Sequence, residues 1–133
     1  MRPSVSAPRR NAFSYAILRV VPSVERGERI NAGVVLFCRQ RGFLDARVAL
    51  DERRLAVLAP ALDSGAVRAH LDGLVRVAEG DPAAGPIAAL PQSERFGWLV
   101  APSSTVVQPS EVHTGLCEDP ARTLDELFDE LVT

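Results

Sequence analysis

The sequence predicts an α+β domain: a largely antiparallel sheet of about five strands with two or three packed helices, the last of them C-terminal. Two observations lead to this class. Apolar runs of strand length come first in the chain, and amphipathic helical patterns follow in its middle and at its end. With 133 residues, 47% of them hydrophobic and 24% charged, the chain has the size and composition of one globular domain.

The first two predicted strands span residues 13–21 and 30–38. Apolar side chains occupy both faces of the first strand, which is typical of a central strand that is covered on both sides. Arg19 interrupts the face of Tyr15 and Ile17, and we expect this charged side chain to reach solvent or an acidic partner. Strict alternation in the second strand places five residues on one face: Ile30, Ala32, Val34, Leu36 and Cys38.

A hairpin and two helices are predicted next. A short Gly-containing turn at 39–42 joins the second strand to a third over 43–50. Asp51 is the predicted N-cap of a short helix over 52–58, and Asp63 caps a longer helix that ends at Gly80. The apolar face of the longer helix consists of Val67, Leu71, Leu74, Val75 and Ala78.

The last third of the chain predicts short extended pieces and a final helix. Residues 81–95 are rich in Pro and Gly and predict a loop with one helical turn at 87–90. Strands are expected over 96–101 and 106–108, with a further extended piece over 112–116. Asp119 followed by Pro120 begins the C-terminal helix, whose apolar face consists of Leu124, Leu127, Phe128 and Leu131.

The domain boundary is expected near residue 12. Residues 1–11 contain two prolines and the pair Arg9-Arg10 but little apolar surface, so they predict a flexible tail, and 12–133 predict a single α+β domain. No stretch is long and apolar enough to cross a membrane, and the N-terminus lacks the hydrophobic core of a signal peptide. We therefore expect a cytoplasmic, bacterial protein without membrane contact.

Charge and cysteine content narrow the function classes. The formal net charge is −2, which argues against a general nucleic-acid binder, although Arg9, Arg10, Arg26 and several neighbouring arginines keep that hypothesis open. Cys38 and Cys117 do not form a C-x-x-C pair, and reduced thiols are expected. Two His and two Cys are too few for a typical zinc site, so no metal or cofactor is predicted.

Sequence motifs of common enzymes are absent. The chain contains no Lys, hence no phosphate-binding loop of the G-x-x-x-x-G-K type, and neither G-x-S-x-G nor H-E-x-x-H occurs. No catalytic residue is assigned, and the absence of these motifs favours a protein that is not an enzyme. His113 is the one credible imidazole base, and it lies in a polar stretch whose Ser and Thr residues are also typical of turns.

A polar cluster is the sharper candidate site. If the first two strands pair, Arg19, Glu28, Asn31 and Gly33 come together at one end of the sheet, where Arg can bind a carboxylate or phosphate in bidentate fashion. The alternative is structural: an Arg19–Glu28 ion pair and an Asn31 amide that satisfies loop backbone groups. Gly33, inside the second strand, indicates a bulge or a close approach to the backbone.

These same residues carry a family resemblance. Tyr15-x-Ile-Leu-Arg-Val-Val-Pro22 and Glu25-Arg-Gly-Glu28-x-x-Asn31-x-Gly-Val-Val-Leu-Phe37 resemble the bacterial family called domain of unknown function 3037, and the likeness covers roughly residues 13–132. Val107-Gln-x-Ser110, Thr114-Gly-Leu, Asp119-Pro and Leu124-x-x-Leu-Phe128 extend it to the C-terminus. Family members are often encoded beside a HipA-type kinase-like protein, so the resemblance implies an accessory or regulatory role with such a partner.

Two function hypotheses follow. The first is a non-catalytic accessory or regulatory protein that binds a protein partner, for which a HipA-type kinase-like protein is the candidate. The second is a small ligand-binding domain or enzyme that uses the Arg/Glu/Asn cluster with His113. The candidate binding residues are Arg19, Arg26, Glu28, Asn31, Gly33 and His113. The sequence leaves the oligomeric state open.

Overall fold

The structure, a computed structural model, describes residues 9–103 and 105–133. Its antiparallel strands are β1 (Asn11–Ser23), β2 (Glu28–Cys38), β3 (Phe43–Val48), β4 (Val107–Pro109) and β5 (His113–Cys117). Its helices are α1 (Glu52–Leu58), α2 (Ser64–Glu79), α3 (Gln92–Leu99) and α4 (Pro120–Leu131). Short 3-10 turns occupy Arg39–Arg41, Pro82–Ala84 and Pro86–Ala89. The predicted α+β class, with an antiparallel sheet and a C-terminal helix, is confirmed.

The long strand β1 is the centre of the sheet. The strand order is β3-β2-β1-β4, and β5 also pairs with β1. β4 pairs with residues 18–20 of β1 and β5 pairs with residues 11–15, both on the side away from β2. β4 and β5 therefore form one interrupted edge of the sheet.

A buried serine closes the interruption between β4 and β5. The Ser110 backbone N–H donates to the Ile17 carbonyl at 2.8 Å, and the Ser110 Oγ accepts from the Ile17 N–H at 2.8 Å. The same hydroxyl donates to the Glu111 carbonyl at 2.8 Å. Buried backbone groups need hydrogen-bond partners in any fold. Ser110 thus gives Ile17 of β1 the hydrogen bonds that a neighbouring strand would otherwise provide.

Both faces of the sheet are covered, in agreement with the two apolar faces of β1. Helices α1, α2 and α3 pack on one face, which we call the three-helix face, and α4 packs on the other, which we call the α4 face. The core of the three-helix face includes Ala16, Leu18, Val20, Ile30, Val35, Phe37, Leu55, Leu71 and Phe96. The core of the α4 face includes Phe13, Val34, Leu36, Cys38, Cys117 and Leu124.

A bulge in β2 overturns the predicted single face of that strand. Leu18 pairs with Gly33 and Arg19 pairs with Asn31, so Ala32 is the extra residue. Beyond it the alternation shifts by one position: residues 30, 32, 35 and 37 lie in the three-helix core, and residues 34, 36 and 38 lie in the α4 core. The bulge that Gly33 predicts is confirmed, but the five-residue face assumed strict alternation and is wrong.

The predicted strand over 96–101 is also wrong, because these residues belong largely to helix α3. Phe96 and Leu99 are buried three positions apart, whereas Gly97 and Trp98 between them are exposed. That spacing is helical, but an apolar run this short fits either a strand or a helix. The proline-rich loop before it forms two 3-10 turns, one of them over the predicted helical turn.

The other predicted helices begin and end where their capping residues indicate. The Asp51, Asp63 and Asp119 side chains accept backbone N–H groups in the first turns of α1, α2 and α4. Gly80 ends α2 in the left-handed conformation, at a φ of 75°. These caps fix both boundaries of α2 and the start of α4.

Part of the predicted N-terminal tail lies outside the described residues, namely residues 1–8. Asn11, the last residue of that tail, is the first residue of β1 and is buried. Among the helices that the structure describes, none is long and apolar enough to cross a membrane.

Candidate functional site

Arg19 occupies the middle of the sheet on the α4 face. Its β1 position lies directly opposite Asn31 on β2 and directly opposite Gln108 on β4. Three polar side-chain positions therefore form one row across three strands. The pairing of β1 with β2 that the sequence predicts brings Arg19 and Asn31 together, but Gln108 joins the row through a pairing between distant parts of the chain.

Arg19 and Glu28 do not form the ion pair that the structural alternative expected. The Glu28 carboxylate lies 3.5 Å from an Arg26 Nη instead. Within the described residues, Arg19 lies within 4.0 Å of no carboxylate, and its Nε is buried without a hydrogen-bond partner. The acidic partner expected for Arg19 is thus occupied by a different arginine.

A cleft of about 200 Å³ opens beside Arg19. The strand ends and the loop between β1 and β2 bound it, and the loop turns tightly because Gly27 adopts a φ of 67° and its N–H donates to the Val24 carbonyl at 3.1 Å. The cleft is lined by Arg19, Val21, Val24, Gly27, Glu28, Arg29, Gln108 and Pro109. Arg19 and Glu28 of the predicted cluster therefore share one opening.

Asn31 is turned toward the C-terminal helix rather than the cleft. Its Nδ2 donates, at 3.1 Å, to the carbonyl of Leu131, which is the last residue of α4. Carbonyl groups in the last turn of a helix lack intrahelical partners, so this bond satisfies one of them. Asn31 thus holds α4 against the sheet, a role that differs from the loop contact the structural alternative expected.

The close approach that Gly33 indicates comes from the neighbouring strand. A Cβ atom at position 33 would lie 2.8 Å from the Arg47 carbonyl oxygen and 2.8 Å from Val48 Cγ1. Both contacts are closer than real Cβ contacts, so glycine is needed for β3 to pair at this bulge. The requirement at Gly33 therefore comes from packing within the chain.

His113 lies outside the cleft, on β5 opposite Tyr15. The two ring centroids are 5.2 Å apart, and His113 Nε2 lies 3.5 Å from Glu111 Oε1. The pKa of the Glu111 carboxyl lies below its usual value, first because a backbone N–H bonds it and then because His113, Arg19 and Arg29 are positively charged neighbours. His113 and the cleft arginines thus act on the same exposed carboxylate.

Three residues of this region were missed by the sequence reasoning: Arg29, Gln108 and Glu111. Gln108 donates from Nε2 to the Thr105 carbonyl at 3.0 Å while its side chain lines the cleft. No local pattern marks such residues, because the register between β4 and β1 places them. The alternation of β2 could have indicated Arg29, two positions before Asn31 on the same face.

Two buried thiols lie in the α4 core, at Cys38 and Cys117, and both are free. Burial raises the pKa of the Cys117 thiol above its usual value, and the neighbouring Cys38 thiol raises it further. His113 and Cys117 share one face of β5. Across residues 9–103 and 105–133, no three His, Cys, Asp or Glu side chains converge as metal ligands would.

Large apolar side chains are exposed on β5, just before it and on α3, and this exposure was not predicted from the sequence. Leu116 of β5 is 66% exposed, Val112 just before β5 is 42% exposed and Trp98 of α3 is 45% exposed. Because His113 lies on the α4 face, alternation places Leu116 on the three-helix face, where α3 also packs. Trp98 borders a cavity of about 300 Å³ that Leu18, Leu74, Val107 and Pro109 also line.

Comparison with known proteins identifies one family. The family model described as "Protein of unknown function (DUF3037)" matches residues 15–132, nearly the whole chain. The match includes the strands that form the Arg19 cleft and the edge strand that carries Leu116. Neither the curated proteins nor the solved structures contain a significant match.

Proposed function

The chain belongs to the DUF3037 family of proteins of unknown function, and from that premise we propose that it is a non-catalytic accessory or regulatory protein that binds a protein partner. A HipA-type kinase-like protein is the partner that the sequence resemblance suggests. The observation that carries the proposal is the exposure of Leu116 on an edge strand.

The edge strand offers two kinds of contact to a partner. β5 pairs with β1 on one side, and no other strand in the described part of the chain pairs with its outer side. An unpaired strand edge presents backbone N–H and C=O groups, and an extended segment of another protein can add to it. Leu116 supplies an apolar anchor on the same strand, so a partner segment would gain hydrogen bonds and buried apolar area together.

Trp98 is a second exposed apolar side chain, on helix α3 of the three-helix face. A half-exposed tryptophan beside a cavity is typical of residues that contribute strongly to protein–protein binding. The cavity walls come from α2, α3 and β4, which hold one another through the three-helix core. We therefore expect the partner to contact β5 with an extended segment and Trp98 with a neighbouring side chain.

Affinity capture from the source cells tests the proposal. The full chain, tagged at one terminus, is compared with Leu116→Glu and with Val57→Glu as a matched control, since Val57 is exposed on α1. The proposal expects one protein to be retained by the wild type and by the control and to be lost with Leu116→Glu. Equal retention by all three variants, or no specific protein at all, contradicts it.

A small ligand-binding domain is the second candidate function, in which Arg19 and Glu28 bind the ligand and His113 acts as acid or base. The half-buried Arg19 beside a cleft favours its binding part. The catalytic part has less support, because neither His113 nor Asn31 lines that cleft. Turnover of a ligand that is lost with His113→Gln but kept with His70→Gln would support an enzyme.

Location and domain organisation complete the proposal. We propose a cytoplasmic protein of a bacterium, with a single domain over residues 11–133, because Asn11 is buried in β1. Cell fractionation checks the first statement, with activity of a known cytoplasmic enzyme as the reference. Limited proteolysis checks the second, since a protease should cut outside residues 11–133 before it cuts within the domain.

A further inference from the structure

The two half-buried arginines of the described chain, Arg19 and Arg95, each have a buried Nε without a hydrogen-bond partner, but they differ at their Nη atoms. Arg95 donates from Nη1 to the Leu90 carbonyl at 2.8 Å and from Nη2 to the Ala78 carbonyl at 3.2 Å. Arg19 has neither a carboxylate within 4.0 Å nor a partner for its buried Nε among the described residues. The Arg95 side chain joins the end of α2 to the turn before α3, whereas Arg19 makes no comparable contact among the described residues.

The Arg19 Nε is buried in the middle of the sheet without an acceptor. Removing a charged N–H group from water without giving it an acceptor is unfavourable, and such groups in native proteins are associated with ligands or ions. Arg19 cannot turn away from the sheet face, because its neighbours in the row belong to paired strands on both sides. Its free hydrogen-bonding capacity is therefore directed to the cleft beside it.

The charge around this cleft favours an anion. Glu28, the carboxylate that lines the cleft, is paired with Arg26, and the exposed Arg29 lines the same opening. Glu111 is the other nearby carboxylate, and its lowered pKa reflects in part the field of Arg19 and Arg29. Among the residues that line the cleft, Arg19 and Arg29 are cationic and Glu28 is anionic, which leaves an excess of positive charge.

We propose that this cleft binds a small oxyanion, the carboxylate or phosphate group of a ligand, with Arg19 as its main contact and Arg29 as a second. The planar guanidinium fork of Arg matches the geometry of both groups. A cleft of about 200 Å³ has room for such a group and part of the molecule that carries it. The site is separate from the β5 edge and stands independently of the proposed protein partner.

Side-chain NMR of the full chain tests this site directly. The probes are sodium phosphate and sodium acetate, each titrated to about 50 mM against sodium chloride at constant ionic strength, a range that detects millimolar dissociation constants. The proposal expects the Arg19 Nε–H signal to shift and saturate with at least one anion. The Arg95 Nε–H signal in the same spectrum is the internal control and should stay in place.

Three variants complete the test. Arg19→Met should abolish the saturable shift of neighbouring backbone signals, and Arg29→Gln should weaken binding about threefold to tenfold through the loss of one nearby charge. Arg54→Gln, an exposed change on α1, should leave binding unchanged. Saturation by phosphate alone assigns a phosphate ligand, and saturation by acetate assigns a carboxylate. Absence of saturation with both anions in the wild type overturns the proposal.

Discussion

Gly33 on β2 lies directly opposite Val48 on β3, and the two strands approach so closely that position 33 has no room for a side chain. A Cβ there would lie 2.8 Å from Val48 Cγ1 and 2.8 Å from the Arg47 carbonyl oxygen. The bulge at Ala32 lies next to this contact and sets which residues of β2 reach each core. One glycine therefore supports both the β2–β3 pairing and the division of the two cores.

Replacement of Gly33 by Ala should destabilise the protein. The added methyl group meets backbone as well as a branched side chain, and such overpacking costs about 1–3 kcal/mol of the free energy of unfolding. Gly73→Ala is the matched control, since a Cβ at Gly73 in α2 meets nothing within 4 Å. The control should gain about 0.5–1 kcal/mol because Ala favours helices. Urea unfolding measures the free energy of unfolding of both variants. Equal changes in the two variants would contradict the close approach at Gly33.

Ser110 should matter more than an ordinary loop serine. Ser110→Ala removes the acceptor of the Ile17 N–H and the donor to the Glu111 carbonyl in a buried setting, so we expect a loss of about 1–3 kcal/mol. Ser64→Ala is the control, because the Ser64 hydroxyl makes an exposed bond to Glu52. Thermal unfolding compares the two variants. A Ser110 variant as stable as the control would show that β4 and β5 do not need this side chain.

The stability of the protein at alkaline pH should depend on the Cys117 thiol. Its pKa in the folded protein is raised above the usual 9.0 by burial and by Cys38, so the folded state keeps a proton that the unfolded state loses first. The resulting contribution to stability is full below about pH 9 and decreases as the pH rises above it. The free energy of unfolding should therefore fall more steeply above about pH 9 for the wild type than for Cys117→Ser. Parallel pH profiles would contradict the raised pKa.

The helices show how far local signals extend. Asp63 and Gly80 mark both ends of α2, and its apolar spacing predicts the buried side, because capping and periodicity act within a few residues. Helix α3 was not predicted, because the apolar run from Phe96 to Ala101 is short and Pro91 provides no side-chain cap. Short apolar runs take their structure from the packing around them, which a single sequence does not display.

The candidate site shows where local signals fail. The pairing of β1 with β2 correctly predicts that Arg19 faces Asn31, since a short loop joins the two strands. Gln108 faces Arg19 through a contact between distant segments, and Glu28 is bound by Arg26 through loop geometry. A shift of a few ångströms in the loop decides which carboxylate an arginine pairs with. Sequence reasoning therefore located the polar cluster but paired its charges incorrectly.

Hydrogen exchange on the full chain, with and without the partner captured from the source cells, tests the central claim most directly. If the outer edge of β5 binds that partner, amide exchange over residues 113–117 should slow when the partner is present at saturating concentration. The same slowing should be absent with Leu116→Glu and present with Val57→Glu. Unchanged exchange over 113–117 while another surface becomes protected would contradict the assignment of the β5 edge as the partner surface.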